Sequence, residues 1–346
     1  MMVTYAYMGI LLLTMAVVTL AGVKYAPDKD SFLSQEEARF FRGFWCIIVI
    51  LVHIPLAFGN RIQDMLGSFG YIGVTFYFMT SAYGLKYSVA HKEGYMKRFW
   101  RNRLPGLIVP AALISIFITV AQVILKDTAS IPTLLYNSLC WLIVLLVCYF
   151  AFWIVYRVLP AVIKKPAGYL QDIVMVIIII AFSLIDRFTD FKITLIWRVE
   201  PLGFAYGILA ATHSEKIKNW IGRKWWQKCV LLLIASVAFG LMYLKFKPVE
   251  IWGDYLLKIV LGIAITMFIF QVVGKIRIGN KVNAFLGSIS YEVFLIHGYV
   301  ITLFAWIFAG RHDVSGVFIW SVIGVTVVLA VIVNRLSKPV IKLFKR

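Results

Sequence analysis

About eleven apolar runs follow one another along this chain, most of them long enough to cross a bilayer, with short polar segments between them. A hydrocarbon core gives no water to an unpaired backbone group, so such runs must satisfy their own N–H and C=O groups, which runs of this length do as helices. The expected fold is all-α, a polytopic transmembrane helical bundle. With 62% hydrophobic and only 15% charged residues, the chain is too apolar for a soluble two-domain enzyme. The runs fall near 2–23, 40–58, 69–90, 104–125, 134–158, 170–184, 193–212, 229–244, 255–273, 284–309 and 317–334. The run 170–184 is the shortest and is expected to tilt less or to be partly re-entrant. No internal repeat is expected. Residues 1–35 read as an anchor span and linker: the first run has no basic residue before it and Lys24 after it, the reverse of a cleaved leader.

A net charge of +19 would suit nucleic acid if the cations lay on one face or arm. They sit instead in short clusters between apolar runs, which excludes a nucleic-acid partner and points to membrane topology. Alternate loops hold about 26 and about 7 Lys or Arg. The richer set is expected inside, which puts the N-terminus out and the C-terminus in. Cys46, Cys140, Cys148 and Cys229 show neither disulfide nor zinc spacing, and no metal is expected. Nucleotide loops, zinc-protease and serine-hydrolase motifs are absent.

One stretch carries chemistry. From Arg42 to His53, RGFWCIIVILVH, an apolar run is bracketed by a fixed cation and a titratable imidazole. Eleven residues make about three turns, so both side chains leave one helical face about 16 Å apart. They read as the two ends of a slot. Pro55 follows, and it deprives the Leu51 carbonyl of its helical donor. Ionisable groups within a span, beside a break, mark a candidate functional site, the alternative being Arg42 as an interfacial anchor and His53 as a packing histidine.

Arg42 and His53, with ten residues between them, precede Gly70, Gly73, Val74, Phe76, Phe78 and Ser81; Arg101-Asn102-Arg103 and the segment from Ser290 to His297, SYEVFLIH, follow in order. This succession resembles the integral-membrane acyltransferase 3 family, whose members O-acylate glycans and other acceptors from acyl-CoA. The resemblance covers about 38–336 and departs at Ala82, where the family usually has glycine. It implies a ten-span core, to which the N-terminal anchor adds an eleventh, and an acyltransferase-like membrane domain over 36–346. It further implies a multi-pass enzyme of the plasma membrane that moves an acyl group, most simply acetyl, from cytosolic acetyl-CoA or another acyl-CoA to a hydroxyl of a cell-surface glycan or lipid-linked acceptor.

On this reading His53 is the base, because its unperturbed pKa lies near neutrality; a covalent acyl-histidine stays open. Arg42, Arg101 and Arg103 would clamp the CoA phosphates, since guanidinium groups bind such oxyanions in bidentate fashion. The cluster could equally be a cytoplasmic anchor for anionic lipid. Glu292 is a further catalytic candidate. It stands about 140° around the helix from His297, so at most one of them should join His53. Arg198 and Glu200 are expected to form a mutual charge pair before Pro201. The rival reading is a transporter or flippase with midplane ionisable residues, against which no matching pair of interrupted spans is found.

Overall fold

The computed structural model describes residues 2–29, 31–163, 168–189 and 198–345. Lys164 and Lys165 of one basic loop, and the start of the run 193–212, lie outside the described residues.

The chain is built of helices: α1 (Met2–Leu20), α2 (Gln35–His53), α3 (Arg61–Ser68), α4 (Gly70–His91), α5 (Phe99–Ile124), α6 (Ile131–Trp153), α7 (Leu159–Val162), α8 (Gly168–Phe188), α9 (Leu202–Thr212), α10 (Ser214–Gly222), α11 (Trp225–Phe246), α12 (Lys258–Val273), α13 (Lys281–Ser288), α14 (Ser290–Ile307) and α15 (Ser315–Lys345). A two-residue antiparallel pair, β1 (Lys24–Tyr25) with β2 (Ile276–Arg277), fastens the segment after α1 to the one before α13.

Seven helical stretches among the described residues are long and apolar enough to cross a membrane: Tyr95–Ile124, Thr128–Val162, Tyr169–Phe188, Trp225–Phe246, Trp252–Val273, Ser290–Ile307 and His312–Lys345. The remaining expected runs correspond to α1, α2, α4 and α9. α9 has 11 residues, about 16 Å of rise against a hydrocarbon core of about 30 Å. α2 and α4 are long but rich in charged, hydroxyl and glycine residues. Both are central: Trp45 to Leu51 of α2 and Gly70 to Thr80 of α4 are buried without interruption. Apolar content follows exposure instead, and in the apolar window of α11 only 17% of the residues are buried. A helix surrounded by protein can carry polar groups that one facing lipid cannot.

Three expectations are corrected. The shortest run is α8, a regular helix of 21 residues with about 31 Å of rise, so it needs no re-entrant geometry. The run 284–309 is two helices, α13 and α14, parted at Ile289. There is also a short internal repeat. Asn60 to Tyr71 and Asn280 to Tyr291 share the frame N-x-x-x-x-x-L-G-S-x-x-Y, and each builds an eight-residue helix that an asparagine caps and a Gly-Ser turns into a long helix.

Glycines set the closest approaches around α2 and α4. A Cβ on Gly203 would lie 2.1 Å from the Thr75 carbonyl, and one on Gly207 would lie 2.2 Å from that of Met79. This small-xxx-small stripe lets the backbone of α9 press against α4. Gly207 also makes the room that Ala82 occupies, since the two Cβ positions would be 2.8 Å apart. On the other flank, Gly43 of α2 faces the Asn283 carbonyl and Gly287 of α13 faces that of Arg39. The N-terminus of α2 is fixed by a capping box: Ser34 Oγ accepts from Glu37 N at 3.2 Å, and the Glu37 carboxylate accepts from Ser34 N at 2.8 Å. Lys29 pairs with Glu37 and donates to the Val273 carbonyl, tying α2 to α12.

Candidate active site

α2 runs unbroken from Arg42 to His53, which sets the two residues about 16 Å apart along one helix. Pro55 does end the helix. The Leu51 carbonyl, freed of its ordinary donor, receives the Gln63 side-chain amide at 3.0 Å, so α3 completes the last turn of α2.

At the first end, the Arg42 guanidinium donates twice to Thr80 Oγ1, at 2.9 and 3.1 Å. Tyr77 Oη donates to the Arg42 carbonyl at 2.8 Å. Arg103, Arg39 and the hydroxyls of Tyr77 and Tyr149 stand within electrostatic reach of the guanidinium. Arg103 is itself held by Tyr95, whose hydroxyl accepts from Nε at 2.7 Å, and Tyr149 meets Ser81 at 2.6 Å. Among the described residues no carboxylate forms an ion pair with Arg42 or Arg103. Two guanidinium groups within electrostatic reach of each other and without a carboxylate could hold an anion.

At the other end, His297 of α14 meets His53. The rings lie 4.9 Å apart, with His297 Nε2 3.3 Å from His53 Nδ1. The carbonyl partners fix the tautomers. His297 Nδ1 lies 2.9 Å from the Phe294 carbonyl and 3.1 Å from that of Val293, and carbonyls only accept, so Nδ1 carries the proton and Nε2 a lone pair. His53 Nδ1 lies 2.8 Å from the Val49 carbonyl, so it too is the protonated nitrogen, shared between Val49 and His297. The lone pair of His53 is therefore on Nε2. His297 is buried and His53 is exposed. An oriented imidazole whose free nitrogen lies on an exposed ring has the arrangement of a general base.

Aromatic rings join the two ends. Tyr77 packs on Phe294 at 5.8 Å, Phe294 on Trp141 at 4.8 Å and on His297 at 5.7 Å. Trp141 is 5% exposed, and its Nε1–H is buried with no hydrogen-bond partner. The indole N–H of Trp45, on α2 between the two ends, is likewise buried without a partner.

A family model described as an acyltransferase domain, acyltransferase 3, matches residues 37–335. The chain belongs to the acyltransferase 3 family. Neither a curated protein nor a solved structure matches it.

In this acyltransferase the expected site residues separate. Arg42, Arg103, His53 and His297 are drawn to the ends of α2. Arg101, two residues from Arg103 and so about 200° around α5, is exposed. Glu292 accepts from Asn334 of α15 at 2.8 Å, away from His53, and as expected only one of the pair Glu292 and His297 reaches it. Arg198 does not pair with Glu200: it approaches Asp254 at 3.9 Å, while the Glu200 carboxylate accepts from the Val199 amide at 3.1 Å. Thr80, Tyr77, Tyr149 and Trp141 were not legible as site residues. They lie in apolar or aromatic runs, and only the packing of α4 and α14 on α2, with α6 against α14, distinguishes them from ordinary core.

Proposed function

We propose that this membrane acyltransferase moves an acyl group, most simply acetyl, from cytosolic acyl-CoA to a hydroxyl of a cell-surface glycan or lipid-linked acceptor at the plasma membrane. The observation that carries the reading is the pairing of an Arg42–Arg103 anion site with a His53–His297 base at opposite ends of one helix. Anionic CoA phosphates suit the arginine end. The pantetheine arm is of the same order as the slot, about 16 Å, which brings the thioester to the histidine end. There His53 Nε2 takes the proton of the acceptor hydroxyl as its oxygen attacks the thioester carbonyl carbon. The oxyanion needs a hydrogen-bond donor beside it. The C–S bond then breaks, and the CoA thiolate leaves with the proton that His53 took up. His297 holds the His53 ring and its tautomer throughout. Mass-spectrometric comparison of surface glycans with and without the intact gene tests the reading. The expected result is loss of an O-acyl mass increment, and unchanged glycans would contradict it.

The orientation that serves this chemistry has Arg42 at the cytosolic mouth and the C-terminus inside. Single cysteines in the segments around Lys92 and Arg61, treated with an impermeant maleimide in intact cells, should be labelled at Arg61 only. Labelling at Lys92 alone would invert the topology and remove the access to cytosolic CoA.

The two arginines of the R-x-R element should differ. Arg103→Lys loses the planar fork and is expected to raise the apparent KM for the CoA ester by about tenfold, a loss of about 1.4 kcal/mol. Arg101→Lys, on the exposed face, should change it less than threefold. Equal effects at both positions would return the cluster to a lipid anchor.

A further inference from the structure

The largely buried cations Lys29, Lys86 and Arg187 each meet a carboxylate, those of Glu37, Asp172 and Asp254. Such a partner holds the cation and cancels its charge at once. Arg42 meets a hydroxyl instead. Its Nε and Nη2 donate to Thr80 Oγ1 at 3.1 and 2.9 Å, and Thr80 is 6% exposed on α4. The hydroxyl is used completely: it gives its one proton to the Phe76 carbonyl at 3.0 Å, which leaves both lone pairs for the two N–H groups of Arg42. It cannot turn without breaking a hydrogen bond.

Arg103 repeats the arrangement. Its Nε donates to the Tyr95 hydroxyl at 2.7 Å, and the guanidinium lies 5.7 Å from the Tyr95 ring centroid. In both arginines the Nε edge is therefore occupied by an uncharged acceptor. Nη1 of each makes no hydrogen bond among the described residues, yet neither is a buried atom, and both side chains are half-buried. The edge away from Nε, where Nη1 and Nη2 present their N–H groups side by side, is left open on each. That edge binds an oxyanion through two parallel hydrogen bonds.

We propose that Thr80 and Tyr95 are the positioning residues of the anion site, uncharged acceptors that fix the Nε edges of Arg42 and Arg103 and leave the end-on forks free and fully charged for a phosphate; this rests on the reading of the two arginines as that site. A carboxylate in either place would orient the arginine as firmly, but an anionic ligand would then meet a neutral pair. A hydroxyl orients without neutralising. It also fixes a long, flexible side chain before the ligand arrives, so less rotamer freedom is lost on binding.

The test is isothermal titration calorimetry on the detergent-purified full chain, with inorganic pyrophosphate and acetyl-CoA as the probes and thermal unfolding to show that each variant is folded. Arg42→Gln removes the cation and sets the floor. Thr80→Ser keeps the hydroxyl and should bind within about threefold of the wild type, whereas Thr80→Val keeps the shape without the acceptor and should bind about tenfold more weakly. Thr80→Asp should bind at least as weakly as Thr80→Val, because its carboxylate holds the guanidinium but cancels the charge. Tyr95→Phe keeps the ring beside Arg103, should weaken binding severalfold, and covers the case in which the Thr80 variants do not fold. The assignment is overturned if folded Thr80→Val or Tyr95→Phe binds as the wild type does. It is overturned as well if Thr80→Asp does, since any firm hold on Arg42 would then suffice. A wild type that binds neither probe, or Arg42→Gln binding as the wild type does, sinks the anion site and the positioning with it. Binding that falls in Arg42→Gln but not in Thr80→Val sinks the positioning alone. Pyrophosphate binding that depends on Thr80, without acetyl-CoA binding, sinks the donor reading and leaves the positioning.

Discussion

Replacing His53 by alanine is expected to lower acyl transfer by about 10²- to 10⁴-fold, the usual consequence of losing a positioned general base. At 25 °C that is about 3–5 kcal/mol of transition-state stabilisation. The protein should still insert and fold, because His53 is exposed and its loss leaves no large cavity in the core. The partners left behind are mild: the Val49 carbonyl keeps its place in α2, and His297 keeps its bonds to Val293 and Phe294. Rates measured on purified protein, with thermal unfolding as the control, decide the matter. A fall of less than tenfold in folded protein would remove His53 from the chemistry.

His297→Phe is expected to lower kcat about 10- to 100-fold, the range seen when a group that orients a reacting side chain is removed, with the KM for the CoA ester changed by less than about twofold. Phenylalanine can still pack against Phe294 and His53, which His297 meets at 5.7 and 4.9 Å. What it lacks is the Nε2 lone pair that faces His53 Nδ1–H. Without that acceptor the His53 ring keeps only the Val49 carbonyl and can rotate or exchange tautomers. His297→Gln, whose amide offers both a donor and an acceptor, should recover part of the loss. A purely structural role predicts the opposite order, with phenylalanine tolerated and glutamine destabilising in thermal unfolding.

The helical class and the placing of Arg42 and His53 on one helix were legible because both rest on spacing within a helix, and that spacing survives any tertiary arrangement. Which of two candidates faces the slot was not. Arg103 is the more covered and Arg101 is exposed because of how α5 is rotated against α6, α14 and α15, and two residues differ by about 200° whichever one is inside. The geometry of a helix allowed only one of Glu292 and His297 to meet His53. The choice was made by Asn334 on α15, forty-two residues away in sequence. The runs of α2 and α4 were visible too, but not that these two helices meet mostly protein, since hydropathy does not tell a buried helix from one that meets lipid. The division of α13 from α14 was hidden by an apolar run that continues across Ile289, where the only sign was a Gly-Ser pair. That sign becomes readable beside its copy at Gly67-Ser68.

The most direct measurement is made on purified His53→Gln protein, scoring acyl transfer and acyl-CoA binding on the same sample. Glutamine keeps a hydrogen-bonding group of similar reach but cannot take up a proton near neutral pH. If His53 is the base, transfer falls as far as in the alanine variant while the CoA ester binds at Arg42 and Arg103 as before. Transfer restored to near the wild-type rate would contradict this, leaving His53 to position the slot and moving the base elsewhere.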